Sequence, residues 1–234
     1  MTELVQRLKN RFYKNEDHPY EKFEDKVAGL VRPGHVILDA GCGRSAPVLG
    51  RFKAVASRLI GVDLVDPRYV REGIEYHQAD LAAIPIESGS VDLIISRSVF
   101  EHLQDPAAVY REFFRILKPG GRVVFLTANF WDYGTQIARL VPNRLHSRIV
   151  RATEGRPEED TFPTAYRTNT RRQVQALAQE AGLTVQEFSY LNQYPNYFYF
   201  NGLLFLLGVL YERLTSRFEC LRGFRGWIMV VLRK

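Results

Sequence analysis

The chain has 234 residues, of which 46% are hydrophobic and 25% are charged, and its formal net charge is +6. This composition fits one globular domain, or one domain with a small appendage, and the two cysteines exclude a disulfide framework and a cysteine-rich metal site. The basic balance fits a nucleic acid, an anionic membrane or an anionic substrate as partner, or it serves solubility alone.

The N-terminal segment, residues 1–17, is charged and has no apolar core. We therefore expect neither a signal peptide nor a membrane anchor in this segment. Because cysteines are also scarce, the sequence predicts a reducing, cytoplasmic location.

Short apolar runs alternate with helical patterns in the middle of the chain. This alternation is typical of a mainly parallel sheet covered by helices on both faces. Ser45 and Pro47 predict a helix after the first run, and Asp105 with Pro106 predicts a later helix that ends before Gly120. The five predicted strands are residues 35–40, 58–63, 74–79, 91–96 and 122–127.

The second half of the chain resumes the sheet after an interruption. Residues 130–167 are irregular, and Gly182 ends a helix that is predicted over residues 169–181. Residues 183–190 and 227–232 predict two more strands, and a long segment with an apolar run is inserted between them.

The turn after the first predicted strand has the composition of a ligand-binding loop, with Asp39, Gly41 and Gly43 in sequence. In an open α/β sheet, ligands bind beyond the carboxyl ends of the strands. Glycines let the backbone approach a ligand closely, and the helix predicted next would add free amide groups and a positive dipole end. A tight turn in any nucleotide-binding sheet would show the same pattern.

Two acidic residues end the next two predicted strands. Asp63 lies about twenty residues after Gly43, where a carboxylate accepts hydrogen bonds from ribose hydroxyls. Nicotinamide dinucleotide enzymes use that position too, but Ala46 stands where their loop has its third glycine. Asp80, followed by Leu81, would meet an adenine amino group, or else it caps a helix or lies in a solvated loop.

Five stretches of the sequence form a series between residues 20 and 130. They are VILDAGCG, GVD, QADL at residues 78–81, FEHL at residues 100–103 and LKPGGRVVF at residues 117–125. In this order and spacing they resemble the motifs of class I S-adenosylmethionine-dependent methyltransferases of the type 11-like group. The resemblance implies a Rossmann-like, doubly wound sheet of seven mostly parallel strands with an antiparallel last strand, and the inserted segment, read as helical, precedes that strand.

The same resemblance implies S-adenosyl-L-methionine as the cofactor and no metal ion. The implied contacts lie at strand ends or in the loops that follow. They are Asp39, Gly41 and Gly43 at the methionine part, Asp63 at the ribose, Asp80 with Leu81 at the adenine, Ser96 with Arg97 beside the methyl-bearing sulfur, and Leu64 as a further contact.

The resemblance also divides the chain into parts. Residues 1–30 are expected to form a helical lid, and residues 31–234 a methyltransferase domain. Within that domain, residues 130–168 would be an irregular or helical cover, and residues 192–225 an apolar insertion.

Methyl transfer from a sulfonium is an in-line displacement with a neutral leaving group, so positioning and desolvation contribute much of the catalysis. A hydroxyl acceptor also gains from a general base. His102, after the fourth predicted strand, is the candidate base, because histidine titrates near neutrality. Alternatively, His102 only shapes the loop that opens the next helix.

Six further residues are candidate acceptor contacts because they lie in segments expected to cover the active site. They are Tyr20 in the lid, Phe130, Trp131 and Tyr133 after the fifth strand, and Tyr166 and Arg167 in the irregular segment. Aromatic packing under a loop, or a plain connecting loop, would explain them as well.

The apolar run from Tyr197 to Tyr211 has fifteen residues, fewer than the roughly 20 that span a bilayer. Arg213, Arg217, Arg222 and Arg225 follow, and apolar groups beside arginines suit the surface of an anionic membrane. The alternatives are the interface of a homodimer or packing on the main core. A nucleic acid is not expected, because no recognition module appears.

The sequence thus predicts a methyltransferase that modifies an oxygen of a small or lipid-associated acceptor, such as a glycan, an isoprenoid or a quinone-like lipid. A methyltransferase of a soluble secondary metabolite is one alternative. A cofactor-binding regulatory or scaffold protein without catalysis is another. The expected partners are the small-molecule or lipid-linked acceptor and the inner face of an anionic membrane.

Overall fold

The computed structural model describes residues 3–13, 18–69, 71–140, 162–195 and 198–234. The chain forms two compact units, and each is described by itself. The N-terminal unit consists of residues 1–22, 128–163 and 190–228, and the sheet unit of residues 23–127, 164–189 and 229–234. The predicted lid is thus divided between the units, and residues 141–161 of the predicted cover lie outside the described residues.

Seven strands form one sheet. They are β1 Val36–Ala40, β2 Arg58–Asp63, β3 Glu75–Gln78, β4 Val91–Arg97, β5 Leu117–Ala128, β6 Thr184–Leu191 and β7 Trp227–Arg233. The strand order is β3-β2-β1-β4-β5-β7-β6, and the first five strands pair in parallel. β7 runs antiparallel to β5, since Gly120 N donates to Lys234 O and Asn129 N donates to Gly226 O. The predicted fold class is confirmed.

β5 is longer than predicted, because the Lys-Pro-Gly-Gly stretch after the preceding helix belongs to it. Its pairing with β4 shifts between the Val91–Leu117 pair and the Leu93–Arg122 pair. A Cβ atom at Gly121 would lie 2.9 Å from the Lys118 carbonyl oxygen, so only glycine fits this irregular start of the strand.

The helix that was predicted after the first strand is absent. Only a short 3-10 turn, Leu49–Phe52, follows β1. Ala46 has a φ of +42°, outside the right-handed helical region, and this prevents a helix from starting at Ser45. The prediction was wrong, and with it the expected helix dipole at the ligand-binding loop.

Six described helices flank or connect the strands. They are α1 Glu3–Tyr13, α2 Pro19–Leu30, α3 Pro106–Ile116, α4 Tyr133–Leu140, α5 Arg171–Ala181 and α6 Gly202–Arg217. The predicted cap of α3 is confirmed, because the Asp105 carboxylate accepts from Ala108 N at 3.0 Å. The predicted stop of α5 is confirmed as well, since Gly182 has a φ of +80°.

In the N-terminal unit, α6 packs on α1 around a small core formed by Val5, Tyr13, Phe205 and Val209. The Tyr13 hydroxyl donates to the buried Glu212 carboxylate at 2.8 Å, which satisfies a polar pair inside that core. Within the described part of the chain, no helix combines the length and the apolar content needed to cross a membrane.

Candidate functional site

The loop after β1 requires glycine at two positions for different reasons. Gly41 has a φ of +81° and Gly43 a φ of +62°, both in the left-handed region. A Cβ atom at Gly41 would lie 2.2 Å from Val99 Cγ2, so Gly41 is required by packing. A Cβ atom at Gly43 would meet nothing within 4 Å, so the backbone there borders open space where a ligand can approach.

The Asp63 carboxylate, at the end of β2, fixes the conformation of this loop. One carboxylate oxygen accepts from Gly43 N at 2.7 Å, and the other accepts from Val65 N at 3.1 Å. A carboxylate has about four acceptor positions. Asp63 is therefore fixed in orientation and retains capacity to accept two ribose hydroxyls.

Asp39, at the end of β1, is a buried carboxyl group that lacks a hydrogen-bond partner among the described residues. Its side chain accepts no hydrogen bond from any described residue, and the residue is only 5% exposed. Burial raises its pKa from 3.8 to about 7; the nearby Arg97 opposes this rise, and the negative charge of Asp63 adds to it. A cationic ligand group placed against Asp39 would supply the missing partner.

Ser96 and Arg97 end β4, and both side chains have partners inside the protein. The Ser96 hydroxyl is buried and donates to Ala40 O at 2.6 Å, which joins the ends of β1 and β4. Arg97 donates to Glu24 of α2 at 2.8 Å. The Ser96 hydroxyl is thus already hydrogen-bonded within the protein, and Arg97 affects the site through its positive charge near Asp39.

Glu24 was not predicted to belong to this site. It also forms an ion pair with Arg51, so α2 is tied to the carboxyl end of the sheet by two arginines. Nothing in the sequence indicates the contact, because Glu24 lies in an ordinary charged helix far from both arginines along the chain.

Asp80 and Leu81 follow β3 and behave differently from each other. The Asp80 carboxylate is exposed, and one of its oxygens accepts from Ala82 N at 2.8 Å, as a turn-forming aspartate does. Leu81 is buried. Leu64 is 54% exposed after β2, so it offers an apolar surface to a ligand.

The loop after β4 is held by a buried network around Glu101. Its carboxylate accepts from the Thr127 hydroxyl at 2.6 Å, and that hydroxyl accepts from the Asn169 amide at 2.9 Å. His102 follows in the same 3-10 turn, and its main-chain N donates to Val99 O at 2.9 Å. The Glu101 side chain therefore holds this loop in place, whereas the 3-10 turn that contains His102 is held by main-chain hydrogen bonds.

Tyr166 and Arg167 contact the loop after β4, which contains His102. Main-chain Tyr166 N donates to Glu101 O at 3.1 Å, and Arg167 donates to Gln104 O at 2.5 Å. Tyr166 has a φ of +51°, a conformation that a non-glycine residue holds only when its surroundings fix it. The predicted base and two predicted acceptor contacts thus lie in adjoining segments of the sheet unit.

The other four predicted acceptor contacts belong to the N-terminal unit. The Tyr20 ring packs edge-on against Trp227, and Tyr133 stacks on Phe198. Phe130 and Trp131 form an edge-to-face pair, and Trp131 is 55% exposed. Tyr133 is therefore part of an aromatic cluster, and Trp131 is the most accessible of the four. Their predicted role in acceptor binding remains a prediction.

Cys42, inside the glycine loop, is buried, and burial together with Asp39 and Asp63 raises the pKa of its thiol. It is therefore an unreactive packing residue rather than a nucleophile. Among the described residues, no group of three His, Cys, Asp or Glu side chains is arranged to hold a metal ion.

Comparison with known proteins gives a consistent result. A family model described as a methyltransferase domain matches residues 38–125. A Mycolicibacterium smegmatis protein named a probable S-adenosylmethionine-dependent methyltransferase is 31% identical over 62% of this chain and 56% of its own length. A ubiquinone biosynthesis O-methyltransferase of Bordetella bronchiseptica is 33% identical over 49% of this chain and 54% of its own length. The chain thus spans about half the length of these relatives.

Solved structures show the same fold at lower identity. An S-adenosylmethionine-dependent methyltransferase from Mesorhizobium loti matches with a TM-score of 0.57 and 17% identity, over 94% of this chain and 99% of its own. A geranyl diphosphate C-methyltransferase from Streptomyces coelicolor matches with a TM-score of 0.58 and 17% identity, over 92% of this chain and 77% of its own. At this identity the likeness establishes the fold alone.

Proposed function

We propose that the chain is an enzyme that transfers the methyl group of S-adenosyl-L-methionine to an acceptor. The match of residues 38–125 to a methyltransferase domain and the similarity to a probable S-adenosylmethionine-dependent methyltransferase support this proposal. The observation that carries the proposal is the buried Asp39 carboxyl group, which accepts no hydrogen bond from a described residue and lies just before the glycine loop. The cofactor is a cation with an ammonium group and supplies an electrophilic methyl group when bound. Asp39 would hold the ammonium group and Asp63 the ribose. Asp80 with Leu81 would hold the adenine, and Leu64 would be a further contact.

The acceptor is proposed to be a hydroxyl group on a small or lipid-associated molecule. His102 would remove the proton as the oxygen attacks, and the adjoining Tyr166 segment would orient the acceptor. Two similar proteins are named a ubiquinone biosynthesis O-methyltransferase and a geranyl diphosphate C-methyltransferase, and these names fit an isoprenoid or quinone-like acceptor. A soluble secondary metabolite is the alternative acceptor.

Cofactor binding is the first test. We expect wild-type protein to bind S-adenosylhomocysteine in calorimetry and to bind no nicotinamide dinucleotide. Asp63→Ala should weaken the binding by about 1.5–3 kcal/mol, since hydrogen bonds to a charged group are lost. Asp63→Asn keeps an acceptor for Gly43 N, and should therefore retain the fold while still losing affinity.

The matched control is Asp25→Ala, which removes an exposed carboxylate from α2. It should bind the cofactor product as the wild type does. Heat with a nicotinamide dinucleotide and none with S-adenosylhomocysteine would contradict the proposed function.

We also propose that α6 docks on an anionic membrane surface, which would present a lipid-borne acceptor. The exposed apolar side chains of α6 recur every three or four residues and form one stripe. The stripe consists of Leu203, Leu206, Leu207, Leu210 and Leu214, with Phe218 directly after the helix. The opposite face, with Phe205 and Val209, packs in the core.

The arginines after the apolar run differ in their availability to lipid. Arg213 donates to Phe12 O, and Arg225 donates to Thr215 O, so both are engaged within the unit. Arg217 and Arg222 are exposed, and Arg222 lies 3.8 Å from the Glu219 carboxylate. Each would contribute about 1 kcal/mol at an anionic surface, and the leucines would supply most of the affinity.

Liposome flotation tests this docking. We expect wild-type protein to float with phosphatidylserine vesicles at low salt, to float less at high salt, and to stay at the bottom with neutral vesicles. Leu203→Ser, Leu207→Ser and Leu210→Ser, combined, should abolish flotation because the stripe loses its apolar area. The control carries Val55→Ser and Ile137→Ser, two exposed apolar positions outside the stripe.

Wild-type protein that stays at the bottom with anionic vesicles at low salt would contradict the membrane proposal. If the three leucine changes instead converted a dimer into a monomer in size-exclusion chromatography, the stripe would be the interface of a homodimer. A protein that binds cofactor yet methylates none of a broad set of hydroxyl acceptors would favour the scaffold alternative.

A further inference from the structure

A second site lies wholly within the N-terminal unit. It is a cleft of about 470 Å³, a size at which small-molecule sites are found. None of its lining residues belongs to the predicted cofactor or acceptor contacts. Its walls come from α1, the start of α2, residues 190–194, α6 and the turn after α6.

Positive charge dominates the lining of this cleft. Lys22, Arg213 and Arg225 line it, and Glu219 is the only acidic residue that does. Lys22 is exposed and forms no side-chain ion pair with a described residue. The buried Glu212 carboxylate, which accepts from the lining residue Tyr13 at 2.8 Å, is a further negative charge beside the cleft. Three cations against these two carboxylates leave an excess of one positive charge, which attracts an anion.

Arg225 is held in a fixed orientation. Its Nε donates to Thr215 O at 3.0 Å and one Nη to Glu219 at 2.6 Å, and its side chain is only 15% exposed. A guanidinium has five N–H donors, so three remain after these two bonds. Because Glu219 is 70% exposed, its charge is screened by water and offsets that of Arg225 only in part.

Arg213 is also held, and it contacts the end of α1. It donates to Phe12 O, and its guanidinium lies 5.4 Å from the centre of the Tyr13 ring. Two guanidinium groups that are held in place, together with an exposed lysine, resemble the donor sets that bind phosphate groups, because arginine can form a pair of hydrogen bonds with one phosphate.

We propose that this cleft binds the phosphate or diphosphate group of a small anionic ligand. Polar and aromatic walls fit such a ligand better than an apolar one. One flank of α6 supplies Arg213 and Ser216 to the cleft, while the outer stripe of the same helix exposes leucines. The phosphate can therefore come from a soluble ester or from a lipid headgroup. The proposal does not depend on methyl transfer.

Calorimetry with inorganic pyrophosphate at low salt tests the proposal. We expect wild-type protein to bind it, and the affinity to fall as salt rises. Lys22→Gln and Arg213→Gln should each weaken the binding about tenfold, since each removes one charged donor. Lys22→Gln changes an exposed side chain and should leave the melting temperature unchanged.

The matched control is Arg7→Gln, which removes the same charge from α1 at a position that faces solvent and pairs with Glu3. It should bind pyrophosphate as the wild type does. Absence of binding at low salt, or equal weakening by Lys22→Gln and Arg7→Gln, would overturn the proposal.

Short-chain phosphatidic acid, used below the concentration at which it aggregates, distinguishes the two sources of phosphate. If it binds more tightly than glycerol phosphate, and if Leu207→Ser lowers only its affinity, the ligand is a lipid headgroup. Equal affinity of the two compounds identifies a soluble phosphate ester. Either result supports a phosphate site, whereas binding of neither, together with none of pyrophosphate, contradicts it.

Discussion

Asp39→Asn should weaken the binding of S-adenosylhomocysteine roughly 100-fold at pH 8, because a buried carboxylate would no longer pair with the ligand's ammonium group. In the free protein this carboxyl group has no hydrogen bond from a described residue, and the nearby charge of Arg97, which is also paired with Glu24, opposes the rise of its pKa only in part. The asparagine has nearly the same shape, so the loop should keep its course. Calorimetry at constant salt measures the change.

The pH dependence of binding identifies the cause. Since the pKa of Asp39 is raised to about 7, the free wild-type protein carries a neutral Asp39 at lower pH and must release a proton to pair with the ligand. The affinity should rise about tenfold per pH unit up to 7 and level off above it. Asp39→Asn should show no such slope between pH 5.5 and 8.

Asp25→Asn serves as the control, because Asp25 is exposed on α2 and changes the net charge by the same amount. A wild-type affinity that is constant between pH 5.5 and 8 would contradict the assignment of the ammonium site to Asp39. So would an Asp39→Asn protein that binds as tightly as the wild type at pH 8.

The raised pKa of Asp39 also destabilises the ligand-free protein at neutral pH. Its folded pKa of about 7 lies above the ordinary value of 3.8, so the folded protein keeps a proton that the unfolded chain releases. Stability therefore falls as pH rises from 3.8 to 7 and is constant above that range. Ligand-free Asp39→Asn should consequently melt higher than wild type at pH 8, which separates loss of binding from loss of folding.

Much of the fold could be predicted because the strands have a simple signature. Buried parallel strands are continuous apolar runs, and each one here ends at a polar residue or glycine that stops the run. β2 was predicted at its observed ends, from Arg58 to Asp63. The antiparallel β7 followed from the family resemblance, since no periodicity in the sequence gives the direction of a strand.

Other features could not be predicted, since they depend on contacts between distant residues or on one backbone angle. No helix forms directly after β1 because Ala46 has a positive φ. An alanine in the sequence gives no indication of such an angle. Glu101 is bonded to Thr127, 26 residues further along the chain, and Thr127 is bonded in turn to Asn169, which lies 68 residues after Glu101. The isolation of Asp39 is likewise a property of the packed protein.

The cationic cleft could not be predicted from the sequence for the same reason. From the sequence, Arg213 and Arg225 are predicted to belong to a basic stretch that faces lipid, because an apolar run precedes them. In the structure both donate to main-chain carbonyls of their own unit. Charge counted along a sequence therefore does not tell which guanidinium groups face a surface and which line a cleft.

His102→Ala should lower the turnover of methyl transfer to a hydroxyl acceptor by roughly 10²–10⁴-fold, the range for loss of a general base. The turn that holds it should persist, because main-chain His102 N donates to Val99 O and the Glu101 carboxylate keeps its bond to Thr127. The affinity for S-adenosylhomocysteine should stay close to the wild-type value. Transfer of a radiolabelled methyl group to a panel of hydroxyl acceptors measures turnover, and calorimetry measures affinity.

His35→Ala is the matched control, because His35 precedes β1 at the opposite end of the strand from Asp39. It should transfer methyl groups as the wild type does. The split between turnover and cofactor affinity is a readout that separates the two roles: as a base, His102 should affect turnover alone. Parallel losses of affinity, melting temperature and turnover in His102→Ala would instead mean that the side chain only shapes the loop, and the proton would then leave the acceptor without help from this residue.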